Sequence, residues 1–371
     1  MYLIKTEIYN FRNYAQELFL PDQHVNLITG KNAQGKTNLL EAIYVGTAGN
    51  TFRTNRFTET INRQSENTKI SYLFNTAGGT FSVFFELNSN GKKLMMVNGQ
   101  KVNPGKSLPF PAAIVFTPDD LDIIKGSPAR RRKYIDFELG LLDFSYHYYY
   151  QQYQKALYER NNLLKRAKNR NIDNDLLEIW NHQLIDTGSR LIYKRLQLLK
   201  KLVPLVKDLF LQLTGGGERL EIKYYSSLKI SLNMEYDQIS SLFLHEITAI
   251  KAEECARGLS LKGPHRDELI FYIDSTEARQ YGSRGQQRTI VLALKLALIE
   301  LWKNETDDYP ILLLDDVLQE LDAFRQSFLF KKIQGQVQTF ITTSSEREIK
   351  QFSDNLNNVI KVAGGKLGQE E

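Results

Sequence analysis

Gly30-Lys31-Asn32-Ala33-Gln34-Gly35-Lys36-Thr37 is the stretch on which the reading of this chain turns. It has the G-x-x-x-x-G-K-T spacing of a phosphate-binding loop, with apolar Val25–Thr29 just before it and Leu39, Leu40 and Ile43 at helical spacing just after. A strand feeding a glycine-rich turn and then a helix is an α/β signature. In such a loop the glycines let backbone N–H groups curl round phosphate oxygens, and the helix N-terminus adds its dipole. Lys36 is then placed for the β- and γ-phosphates and the Thr37 hydroxyl for Mg²⁺. All eight residues, Gly30 to Thr37, form the candidate ATP site.

A metal at this loop needs an acidic partner. Ile311-Leu312-Leu313-Leu314-Asp315-Asp316 supplies one at the end of an apolar strand, with Asp315 as the candidate Mg²⁺ partner and Asp316 as the candidate base for the attacking water. Alone, the segment reads equally as a strand ending in an Asp-rich turn. The chain contains no Asn-Lys-x-Asp guanine-reading tetrad, which weighs against a GTPase.

Periodicity organises the remainder. Lys69–Phe74, Thr80–Leu87 and Lys93–Val97 are strand-like runs around Asn90-Gly91 and Asn98-Gly99, which predicts an antiparallel β-lobe. From Asp143 to Leu213 the apolar spacing turns helical, with Pro204 expected to interrupt the run and Gly215-Gly216-Gly217 to end it. The longest helix is therefore expected over about Asp175–Val203, roughly 43 Å at 1.5 Å per residue. Another helix is expected around Met234–Ala256, and strands return at Leu269–Ile273, Ile311–Leu314, Thr339–Thr342 and Asn358–Val362. The expected arrangement is an α/β core from residues 1–124 and 258–371, with a mainly helical arm, 125–257, inserted between them.

Charge is uneven. The net charge is +5, yet residues 125–215 carry 17 Lys and Arg against 9 Asp and Glu, so the middle of the chain is positive and the rest slightly negative. Arg130, Arg131, Arg132 and Lys133, and then Lys165, Arg166, Lys168 and Arg170, are the densest clusters and the candidate DNA contacts. A solvated helix face, or pairing of the first cluster with Asp136 and Glu138, accounts for the same residues without DNA. The five histidines show no metal-ligand spacing, and the single Cys255 forms no internal disulfide and reads as a small buried hydrophobe. The aromatic run Tyr146, Tyr148, Tyr149, Tyr150 and Tyr153 reads first as helix packing and second as base stacking. No run approaches membrane-spanning length and the N-terminus lacks a signal-peptide core, so a cytoplasmic protein without a membrane partner is expected.

Ser283-Arg284-Gly285-Gln286-Gln287 precedes a long helix and lies upstream of the acidic strand. Its order resembles the signature motif of ABC-type ATPases, although alone it also reads as a helix cap. Together with Asn10-Phe11-Arg12-Asn13-Tyr14, the loop through Tyr44, Gly263-Pro264-His265-Arg266-Asp267 and Leu314 to Asp322, it closely resembles the RecF family of ABC/SMC-type repair ATPases.

That resemblance implies an ABC-type P-loop ATPase head with an antiparallel β-lobe and an inserted helical arm. It implies a homodimer joined head to tail around ATP, with Ser283, Arg284, Gly285 and Gln286 facing the partner's nucleotide. Glu320 and Asp322 would lie in the loop across that interface, and Arg12 near the phosphates. It further implies action on double-stranded and gapped DNA, and RecA loading together with RecO and RecR. The departures from the family pattern are Asp316 where such heads place Glu, Gln319 where Ser is expected, and no sensing histidine after Thr339–Ile341, so slow hydrolysis is expected. The competing class is the ATPase head of a larger SMC-type or transporter machine.

Overall fold

The computed structural model describes residues 1–54, 56–102, 113–167, 173–344 and 358–369. Its first elements are β1 (Tyr2–Phe11), β2 (Tyr14–Phe19), β3 (Val25–Thr29), α1 (Lys36–Ala48), β4 (Asn67–Thr76), β5 (Gly79–Asn88), β6 (Lys93–Val97), β7 (Gln100–Lys101) and β8 (Ala113–Phe116). There follow α2 (Asp122–Lys125), α3 (Pro128–Leu142), α4 (Phe144–Ala167), α5 (Asn174–Leu213), β9 (Leu220–Tyr225), α6 (Tyr236–Ala249), α7 (Lys251–Arg257), β10 (Glu268–Ile273), β11 (Thr276–Glu277) and α8 (Arg284–Thr306). The chain closes with β12 (Ile311–Asp315), α9 (Ala323–Ile333), β13 (Thr339–Thr343), β14 (Asn358–Ala363) and β15 (Lys366–Gln369).

Met1–Asp120 and Leu298–Glu371 form one compact unit and Leu121–Ala297 the other. The first contains two six-stranded sheets. One is antiparallel, in the order β2-β1-β4-β5-β6-β7, and the Asn98-Gly99 turn between its last strands has both residues at positive φ, as a tight hairpin requires. The other has the order β15-β14-β3-β13-β12-β8, with every neighbouring pair parallel except β14 and β15. All five residues of β3, β12 and β13 are buried, as expected of parallel strands covered on both faces. This order places the C-terminal ends of β3 and β12 on either side of β13.

In the second unit α4 and α5 pack along each other, and Tyr146, Tyr153, Leu184, Ile192 and Phe243 anchor a common core. Each such buried apolar side chain contributes on the order of 1.5–3 kcal/mol. Two expectations need correction here. Pro204 does not interrupt α5, which runs for 40 residues, about 60 Å, because Val206, Leu209, Phe210 and Leu213 beyond it stay buried. The arm also extends beyond residue 257. β10 pairs with β9 from Glu268↔Tyr225 to Ile273↔Leu220, so residues 258–297 group with the arm and the division falls inside α8. The expected helix at Met234–Ala256 is split at Ile250 into α6 and α7. Cys255 is half-buried.

Among the described residues, no helix is long and apolar enough to cross a membrane.

Candidate functional site

The loop between β3 and α1 is built around two glycines. Gly35 has φ +121°, and a Cβ on it would stand 2.7 Å from Asn13 Nδ2; Gly30 has φ +146°, and its Cβ would meet the Val362 carbonyl at 2.3 Å. No other residue fits either position without displacing backbone or its immediate packing. Asn13 Nδ2 donates to the Gln34 carbonyl at 2.8 Å, and Tyr14 Oη donates to the Gly35 carbonyl at 2.9 Å. Burial raises the Tyr14 pKa, so this phenol keeps its proton. The Lys36 ammonium donates to the Gly30 and Lys31 carbonyls at 2.8 and 3.2 Å, which folds its charge into the loop.

The strand order brings the acidic strand to this loop. Thr37 Oγ1 donates to Asp315 Oδ1 at 2.8 Å, and Thr342 Oγ1, from the intervening β13, donates to the same oxygen at 2.9 Å. The Asp316 N–H donates to Thr342 Oγ1 at 2.9 Å, with Asp316 in the left-handed region at φ +52°. Lys36, Thr37, Asp315 and Asp316 are therefore gathered at one edge of the sheet.

Arg12, the candidate for the phosphates, is held by a carboxylate of α1. Its Nε and Nη2 grip both oxygens of Glu41, on α1, at 2.9 and 2.8 Å, while Nη1 donates to the Glu59 carbonyl at 2.8 Å. Glu41 is fully buried and also accepts from Thr51 Oγ1, with Arg53 at 3.6 Å. A buried carboxylate holds Arg12 because an unpaired charge there would be costly. Arg12 and Arg53 also border a cleft of about 920 Å³, lined further by Asn13, Asn38, Asn62 and Arg63 among others.

In the second unit Ser283 and Gln286 form a reciprocal cap on α8. Ser283 Oγ accepts from the Gln286 N–H at 3.2 Å, and the Ser283 N–H donates to Gln286 Oε1 at 2.7 Å. Arg284 and Gly285 are exposed at the start of that helix.

The family model described as RecF/RecN/SMC N terminal domain matches residues 2–367. A DNA replication and repair protein RecF from Pelotomaculum thermopropionicum is 44% identical, covering 99% of this chain and 100% of the relative. Its counterpart from Desulforamulus reducens is 42% identical over 99% of this chain and 98% of its own length. The chain belongs to the RecF family. A solved recombination mediator protein RecF-ATP of the RecFOR pathway superposes with a TM-score of 0.92 at 34% identity, covering 100% of this chain and 98% of that one. The fold is thus that of a RecF and SMC-type ATPase head, with the antiparallel lobe and the mainly helical arm described above.

Seen as a RecF-family chain, the remaining candidates separate. Glu320 closes the short turn Leu318–Glu320, and Asp322 caps α9 through the Arg325 N–H at 2.9 Å and pairs with that side chain. Arg131 is buried, donating to the Ile124 and Gly126 carbonyls and paired with Glu268, which removes it from any DNA-facing surface. Arg130 pairs with Asp122, and Arg132 donates to the Asp267 carbonyl at 2.8 Å. Of the carboxylates expected to pair with this cluster, Asp136 holds Arg195 at 2.6 Å and its charge also acts on Arg132, while Glu138 lies 3.6 Å from Lys295. Lys165 and Arg166 are exposed near the end of α4, while Lys168 and Arg170 lie outside the described residues. Tyr146 and Tyr153 are core residues and Tyr148 is exposed. Thr342, Asn13, Tyr14 and Glu41 were not singled out as site residues from sequence; Asn13 and Tyr14 stood inside the Asn10–Tyr14 motif, whereas Thr342 carries no local signal.

Proposed function

We propose that this RecF-family chain is an ATP-gated DNA-binding switch of replication and recombinational repair, binding ATP at Gly30–Thr37 and hydrolysing it slowly. The observation that carries the reading is the Thr37–Asp315 contact at 2.8 Å beside the Lys36 loop. A hydroxyl and a carboxylate are hard-oxygen donors of the kind Mg²⁺ takes, so the residues fit the ion. Bound there, Mg²⁺ supplies charge neutralisation at the β- and γ-phosphates. Lys36 exchanges its two carbonyl acceptors for phosphate oxygens, and the loop N–H groups bind the rest of the triphosphate. The polar cleft bordered by Arg12, Asn13 and Asn38 suits the nucleoside. Asp316 is the candidate base, and its short side chain suits slow turnover.

Dimerisation follows from the same chemistry: Ser283 and the N-terminus of α8 offer donors to the γ-phosphate held by a second copy. The basic arm then supplies phosphate contacts to double-stranded or gapped DNA. RecO and RecR are the partners supported by the RecFOR pathway named for the solved relative, and a cytoplasmic location suits all of these roles. Lys36→Met is expected to abolish ATP binding measured by equilibrium dialysis, and undiminished affinity would refute the site.

A further inference from the structure

Within the second unit lies a cavity of about 140 Å³ whose lining includes Arg132, Lys133, Asp136, Tyr150, Arg195 and His265. Three of these are cations and one is a carboxylate. Asp136 is committed, accepting at Oδ1 from Arg195 Nη2 at 2.6 Å and from Tyr146 Oη. Arg195 also donates to Tyr146 Oη at 3.0 Å and to the Pro264 carbonyl at 3.2 Å. His265 is committed too, between Tyr153 Oη at 2.5 Å and the Ser260 carbonyl at 3.2 Å.

Arg132 differs. Among the described residues its hydrogen bonding is one contact, Nη1 to the Asp267 carbonyl at 2.8 Å, which leaves Nε and Nη2 for a ligand. Burial and then the charge of Arg195 hold the Arg132 pKa below its ordinary range, although the carboxylates of Glu268, Asp136 and Asp267 act in the opposite direction. The N–H groups left open by that one hydrogen bond are planar guanidinium donors, which suit an oxyanion. The space, about 140 Å³, admits a phosphate-sized group.

We propose that this cavity binds a single phosphate group through Arg132, supplied either as free inorganic phosphate or by a DNA backbone. The test uses the full chain carrying Lys36→Met, so that the nucleotide loop does not compete. Sodium phosphate, compared with chloride at equal ionic strength, is expected to raise Tm by about 5 °C near saturation. The rise is expected to vanish in Lys36→Met/Arg132→Gln and to return in part with Arg132→Lys. Because the readout is the difference between two salts for each variant, a general loss of stability does not mimic it. An equal phosphate shift with and without Arg132, or none in Lys36→Met, overturns the proposal. With the site established, a duplex-binding salt slope reduced by about one in Arg132→Gln assigns the phosphate to DNA, and an unchanged slope assigns it to the free ion.

Discussion

Thr342 Oγ1 and Asp315 Oδ1 stand 2.9 Å apart at the register pair where β13 meets β12, so the carboxylate is oriented by its neighbouring strand as well as by Thr37. Such supporting hydrogen bonds typically govern about 10–100-fold in metal affinity or activity. Thr342→Val is therefore expected to lower Mg²⁺-dependent ATP hydrolysis by about that factor while leaving ATP affinity nearly intact, and Thr342→Ser to restore it. Steady-state hydrolysis beside equilibrium ATP binding checks this, and equal turnover in Thr342→Val would refute it.

Ser283 offers a way to separate a helix cap from a dimer contact. Asp at this position keeps capping capacity but places a negative charge where the γ-phosphate of a second copy would lie. Ser283→Asp is expected to retain the helix content and thermal stability of the parent and to lose ATP-dependent dimerisation by light scattering. Persistent dimers would reduce the residue to its capping role.

Arg160 and Glu254 form a fully buried ion pair, with Arg160 also bonded to Asn181 and Ser260. Removing one partner leaves a buried charge uncompensated, which costs about 3–5 kcal/mol. Glu254→Ala is expected to lose stability of that order in urea denaturation. A loss below about 1 kcal/mol would show that water reaches Arg160.

His265 has its pKa lowered to about 4, chiefly by burial. The unfolded chain therefore takes up this proton first, near the ordinary histidine value of about 6.5. The stability this neutral imidazole contributes is present above about pH 6.5 and declines between about 6.5 and 4, by about 3 kcal/mol in all. Denaturation of the parent and of His265→Gln across that window should give a smaller acid loss in the variant, and identical pH slopes would refute the assignment.

Much of the geometry of the candidate nucleotide site was legible because its determinants are local. Gly30, Gly35, Lys36 and Thr37 are fixed by one turn, and Asp315 by one strand end. The strand runs Lys69–Phe74 and Thr80–Leu87, which pair as β4 and β5, were likewise readable from local pattern. What was hidden depends on strand order. Thr342 becomes a site residue because β13 lies between β3 and β12, and no pattern within residues 339–343 announces that. The partner that holds Arg12 was hidden as well, because it depends on Glu41 being buried, a property of the packed helix and not of either motif. Pro204 misled for a similar reason: the burial of Leu209 and Phe210 outweighs the loss of one backbone hydrogen bond.

The continuity of α5 through Pro204 also sets a scale in base pairs. A helix of about 60 Å matches roughly 18 steps of a duplex at about 3.4 Å each, about 1.7 turns. Groups at its opposite ends would therefore meet a duplex laid along it about a third of a turn out of phase, and a shorter rod broken at Pro204 would set a different phase.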